Sequence, residues 1–95
     1  MKMVVIDGAM MSTKAAAHAY LAERLALPEY YGKNLDALYD VLTAETEIPT
    51  CLIIYRREAL EESLGRYGTA LLDTIWDAAQ ENPNLQAVLD GDESY

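Results

Sequence analysis

Cysteine occurs once in this 95-residue chain, at Cys51, so no disulfide can form within it. The thiol falls in the apolar run Cys51-Leu52-Ile53-Ile54-Tyr55, a setting that predicts a buried structural cysteine rather than a reactive one. Histidine also occurs once, and no second His or Cys stands at a liganding distance from His18. A surface histidine is expected there, not a metal ligand or a catalytic base, and no cofactor is implied. No apolar run approaches the length of a membrane span. The first, Val4 to Ile6, is cut short by Asp7 and is too brief for a secretory signal. Cytoplasmic residence is the expectation.

Bases are the next scarcity. Seven Lys and Arg stand against sixteen Asp and Glu, a formal net charge of −9. None follows Arg66, whereas Asp73, Asp77, Glu81, Asp90, Asp92 and Glu93 all do. A field of one sign repels a phosphate backbone and attracts a basic protein, so direct nucleic-acid binding is not expected. The same charge also serves solubility. At 52% hydrophobic residues the chain is too apolar to remain disordered, and its length suits one domain around a single core.

Proline occurs three times, and each copy marks a boundary. Met3 to Ile6 reads as a buried strand ending at the turn pair Asp7-Gly8. Ser12 or Thr13 caps a helix to about Leu25, with Ala17, Tyr20, Leu21 and Leu25 on one face. Pro28 then breaks the chain and Gly32 permits a sharp change of direction. Asn34 caps a second helix from Leu35 to about Thr43. Pro49 introduces a strand from Cys51 to Tyr55. A short helix from about Glu58 carries Leu60 and Leu64 on one side and stops at Gly65. Thr69 caps a fourth helix through about Glu81, and Pro83 bars its continuation. Leu85 to Leu89 is the last strand. The order predicts an α/β domain, residues 1–90, with a three-stranded parallel sheet and helices packed on one face of it. A polar tail, residues 91–95, follows.

The stretch Pro28 to Leu42, PEYYGKNLDALYDVL, carries the functional argument. Leu35, Leu38 and Leu42 fall on one helical stripe, which faces the core. Asp36, Tyr39, Asp40 and Thr43 share another side. Asp36 sits in the first turn, where the helix dipole stabilises it by about 0.3–1 kcal/mol. Asp40 lies beyond most of that benefit, opposes Asp36 at i+4 and is a weak helix former. Fold stability alone does not call for Asp40, so the face is either an ordinary solvated one or a surface kept for a partner. Tyr30, Tyr31 and Tyr39 flank the acids and add the aromatic surface typical of interfaces, although one of the first two, Tyr31, is assigned to the core.

The longer segment LALPEYYGKNLDALYDVLT, Leu25 to Thr43, resembles the central motif of the barstar family, inhibitors of barnase-type ribonucleases. A weaker likeness runs over nearly the whole chain, through Ile6-Asp7-Gly8, Glu47-Ile48-Pro49 and the late helix with Asp77 and Glu81. The resemblance implies a partner-binding surface of Tyr30, Gly32, Asn34, Asp36, Tyr39, Asp40, Thr43 and Asp77. It implies that the loop and second helix plug a basic ribonuclease active site in a one-to-one complex, with Asp40 among cationic groups that normally meet substrate phosphate. Three departures stand out. Tyr39 replaces the family's common tryptophan, Ala44-Glu45-Thr46 lacks a Gly-Trp pair, and Asp77 is one methylene shorter than the family's glutamate.

The alternative reading is an acidic adaptor that docks a basic non-nuclease protein through the same face. A hydrolase using Asp77 and Glu81, at i and i+4, is disfavoured because no other polar partners accompany them. Trp76 is either a core residue or an exposed edge that enlarges the surface beside Asp77. Arg56 and Arg57 read as a solvated turn or cap for the helix after them.

Overall fold

The computed structural model describes residues 1–44 and 48–89. The polar tail and Glu45, Thr46 and Glu47, among them one departure from the family motif and the start of the Glu47-Ile48-Pro49 likeness, lie outside the described residues. In chain order the elements are β1 (Lys2–Asp7), a 3-10 turn (Gly8–Met10), α1 (Lys14–Arg24), α2 (Leu35–Thr43), β2 (Thr50–Tyr55), α3 (Arg57–Leu64), α4 (Arg66–Glu81) and β3 (Leu85–Leu89). The strands form one parallel sheet in the order β1-β2-β3, with Val4 opposite Leu52 and Leu52 opposite Ala87. The expected α/β architecture is therefore present, strand-helix-helix-strand-helix-helix-strand.

Side chains alternate across a strand, and the helices cover one face. Val4, Ile6, Leu52, Ile54 and Leu85 point into that helical layer and are buried. There they meet Ala17 and Leu21 of α1, Leu38 and Leu42 of α2, Leu60 of α3, and Leu71, Leu72, Ile75 and Ala78 of α4. The opposite face leaves Met3, Val5, Tyr55 and Val88 exposed. Strand β1 is thus half-buried rather than buried throughout, because a single helical layer closes only one side of the sheet. Cys51 lies on the less covered side yet is itself buried, as its apolar setting predicts.

The caps explain where the helices start. Thr13 accepts from the Ala16 N–H at 3.0 Å, and Asn34 accepts from the Ala37 N–H at 2.7 Å. Helix α1 closes with Ala26 in the left-handed region, φ 52°, and the Leu27 N–H returning to the Ala22 carbonyl at 2.9 Å. This closure delivers the chain to Pro28. The sharp turn expected at Gly32 is instead made by Lys33, whose φ is 59°. It immediately precedes the cap, so the local reversal and the helix start are one event.

Helix α4 begins at Arg66 and not at Thr69. Gly65, at φ 57° and ψ −128°, lets α3 end and α4 begin on a single residue. Gly68 then sits inside α4 against α3, where a Cβ would lie 2.9 Å from the Leu60 carbonyl oxygen. Thr69, the expected cap, is an exposed residue inside α4, and Gly68 before it makes the close helix–helix contact. Arg56, at φ 55°, turns the chain out of β2 into α3, and its Nε lies 3.5 Å from Asp7 Oδ1. Arg56 is the solvated turn residue the sequence predicts, while Arg57 after it is half-buried.

Candidate functional site

Helix α2 divides its surface as its spacing predicts. Leu38 and Leu42 are buried, and Leu35 packs partly against the same core. Asp36 and Asp40 are exposed, while Tyr39 and Thr43 are half-buried beside them. Among the described residues no cation is ion-paired with Asp36, Asp40 or Asp77. Two like charges therefore stand one turn apart on a solvated helix, with no ion pair among the described residues and, for Asp40, little benefit from the helix dipole. The arrangement is chemically suited to accept charge-assisted hydrogen bonds from Arg, Lys or protonated His.

The loop ahead of α2 has two tyrosines with opposite fates. Tyr30 is 86% exposed and Tyr31 is 5% exposed, the assignment expected from sequence. Gly32 and Asn34 are exposed. Asn34 spends its side chain on the fold, with Oδ1 capping α2 and Nδ2 donating to the Gly32 carbonyl at 3.4 Å. Its contribution to the surface is to shape the loop. Thr43 likewise turns inward, its hydroxyl donating to the Tyr39 carbonyl at 2.8 Å.

Helix α2 packs along α4, which carries Asp77 exposed. Trp76, next in sequence, is partly packed against the core. Its remaining surface lines a shallow groove with Ala79, Gln80 and strand β3. So the elements bearing the eight expected residues, the loop, α2 and α4, adjoin one another; Tyr30, Asp36, Tyr39, Asp40 and Asp77 are exposed or half-exposed with side chains that bond nothing among the described residues, whereas Asn34 and Thr43 are engaged within the fold and the Gly32 carbonyl accepts from Asn34.

The histidine expectation fails. His18 is 1% exposed, with Nδ1 2.6 Å from the Tyr31 hydroxyl and Nε2 2.6 Å from the Tyr67 hydroxyl. Burial lowers its pKa from the ordinary 6.5. Burial, and then the neighbouring Tyr67, push the Tyr31 phenol up to about 12. The readable signal was the helical phase: His18 lies beside Ala17 and three residues before Leu21, on the stripe that faces the core. Asn82 was also missed. It is buried, and its amide donates to the Leu42 carbonyl at the end of α2.

No group of three or more His, Cys, Asp or Glu able to hold a metal ion exists among the described residues. No described helix is long and apolar enough to cross a membrane.

Residues 1–90 match the family model described as Barstar (barnase inhibitor). The Bacillus subtilis (strain 168) protein named "Putative ribonuclease inhibitor YrdF" is 36% identical over 81 residues, covering 85% of this chain and 89% of the relative. A family match over almost the full length and a relative of that identity leave one assignment: this chain belongs to the barstar family.

Proposed function

We propose that this protein inhibits a basic, barnase-type ribonuclease in a one-to-one complex, using the loop from Tyr30 to Asn34, helix α2 and Asp77 to occlude the enzyme's active site. Membership in a family of ribonuclease inhibitors makes it an inhibitor protein and not an enzyme. The observation that carries the finer reading is the pair Asp36 and Asp40, exposed, unpaired among the described residues and flanked by Tyr30 and Tyr39.

An RNA-cleaving site must be cationic where substrate phosphate binds. A carboxylate delivered there by a rigid helix occupies the phosphate position without offering a bond to cleave. Aromatic groups closing around it exclude water and strengthen each charge-assisted bond, because the local dielectric falls. Asp40 holds the central place in this scheme. Tyr30 and Tyr39 form its rim, Asp36 and Asp77 extend the negative field, and Gly32, Asn34 and Thr43 set the loop and helix end. The inhibitory unit is the single domain of residues 1–90, acting in the cytoplasm, with no cofactor and no direct contact with nucleic acid.

The test is a titration of a barnase-type ribonuclease with this protein while RNA cleavage is followed. Activity should fall linearly to near zero at one equivalent. A ribonuclease of this class that keeps full activity in excess inhibitor would remove it from the list of targets.

A further inference from the structure

Three residues from separate parts of the fold converge on one buried imidazole. His18 comes from the middle of α1, Tyr31 from the loop before α2, and Tyr67 from the first turn of α4. Both ring nitrogens are occupied at 2.6 Å, Nδ1 by the Tyr31 hydroxyl and Nε2 by the Tyr67 hydroxyl. Lys14 of α1 lies over the outer face of the Tyr67 ring, 4.6 Å from its centroid. An apolar side chain would fill the same space without the cost of burying an imidazole, so packing alone gives no reason for a histidine here. What the histidine adds is a polar tie. Tyr31 immediately follows the 86%-exposed Tyr30, and among the described residues its side chain is the one polar group of the Tyr30–Asn34 loop hydrogen-bonded to α1.

We propose that His18 is a positioning residue of the inhibitory surface: through Tyr31 and Tyr67 it fixes the Tyr30–Asn34 loop against α1 and α4, and it does so in its neutral form. The proposal rests on the ribonuclease-inhibitor reading for what that surface binds. A neutral imidazole has one N–H and one bare nitrogen, so one tyrosine accepts from the ring and the other donates to it. Protonation makes both nitrogens donors. Both hydroxyls must then accept, and the hydrogen that had been donated to the ring loses its acceptor in a buried site. The groups that face the ring are Tyr31 from the loop and Tyr67 from α4, with the Lys14 cation of α1 across the Tyr67 ring. Among the described residues no carboxylate is bonded to the imidazole to welcome a positive charge.

Burial lowers the His18 pKa in the anchored state. A loop released from the core returns the histidine to its ordinary value near 6.5. The anchored state therefore holds its full advantage above that value and loses it as pH falls below it.

The experiment has two arms. In the first, the protein alone is followed by NMR between about pH 8 and pH 5, reading the His18 ring nitrogens and the exchange protection of the Tyr31 and Ala37 amides, corrected for intrinsic exchange. Protection should fall in step with His18 protonation, and it should already be reduced at neutral pH in Tyr67→Phe and His18→Gln. In the second, affinity for a barnase-type ribonuclease is measured over the same range. At neutral pH His18→Gln should bind roughly tenfold more weakly, the worth of about one lost hydrogen bond. Acidification should weaken wild type several-fold more than it weakens His18→Gln, a comparison in which the ribonuclease's own titrations cancel. If His18→Gln fails to fold, Tyr67→Phe carries both arms. Loop protection independent of the His18 charge, or pH profiles that superimpose for wild type and variant, would overturn the proposal. Wild type that does not bind the ribonuclease counts against that target, while the first arm still decides whether His18 holds the loop.

Discussion

The side-chain amide of Asn82 donates to the main-chain carbonyl of Leu42 across 3.0 Å, joining positions 40 residues apart in sequence. Asn82 also ends α4, its N–H bonding the Ala78 carbonyl at 2.9 Å, and its Oδ1 accepts from the Asn84 N–H at 3.0 Å. One buried residue thus terminates one helix, shapes the turn into β3 and fixes the last turn of α2.

Replacing it tests that triple role. Asn82→Ala leaves the Leu42 carbonyl without this donor and the Asn84 N–H without this acceptor, and should cost about 2–3 kcal/mol. Urea denaturation measures the loss as a shift in midpoint at unchanged slope. Asn82→Asp should be at least as damaging, because it sets a carboxylate oxygen against a carbonyl. A midpoint unchanged in both variants would mean that the tie is not energetically significant.

Gly68→Ala probes the α3–α4 contact. On an exposed helix this change gains up to about 1 kcal/mol in propensity. Here the new methyl meets the Leu60 carbonyl oxygen at 2.9 Å and the Leu64 Cβ at 3.3 Å. Overpacking of that kind costs about 1–3 kcal/mol and should outweigh the gain, giving a net loss visible in the thermal midpoint. A stabilised Gly68→Ala protein would mean that the two helices separate easily.

Asp40 should show opposite signs in two measurements. Removing its carboxylate relieves the i,i+4 repulsion with Asp36 and substitutes the best helix former, so Asp40→Ala should raise fold stability by a few tenths of a kcal/mol. The same change should weaken ribonuclease binding by at least about 3 kcal/mol, because the enzyme's cations lose a desolvated partner. Calorimetric titration and denaturation on one sample give both numbers. Equal binding by wild type and variant contradicts the phosphate-mimic role.

Salt should act on association more than on dissociation. With a net charge of −9, the approach to a basic enzyme is steered by a field that ions screen. Raising ionic strength from about 0.05 to 0.5 M should lower the association rate at least tenfold, with the dissociation rate changing far less. Stopped-flow mixing separates the two rates.

Much of this arrangement is legible in the sequence because it rests on local rules. Asn34 and Thr13 cap where their side chains allow, and Leu38 and Leu42 face inward because the α-helical period puts them there. What was misread or not legible depended on distant chain segments: the helical phase of His18 could signal burial, but not its partners. His18 looks like a solvent-facing residue until Tyr31 and Tyr67, 13 and 49 positions away, are brought to its two nitrogens. Thr69 reads as a helix cap until Gly65 and the packing of Gly68 on α3 start α4 at Arg66. Met3 and Val5 look like core until the helical layer proves to cover one side of the sheet. Lys33, rather than the glycine before it, takes the left-handed conformation because the Asn34 cap fixes where the chain must reverse.

The strand register has a consequence for the timing of synthesis. Lys2 pairs with Thr50, and Thr50 with Leu85, so β1 and the sheet's far edge are joined only through long crossovers. Contacts between remote segments must form before they are rewarded, and the loop closure they need comes late. The acidic helix leaves the ribosome well before α4 and β3, the elements that hold its last turn in place. On the proposed function, a nascent chain that carries Asp36 and Asp40 but has not yet reached Asn82 should inhibit poorly. The bond that fixes the last turn of α2 can form only once the residues around Asn82 have been made.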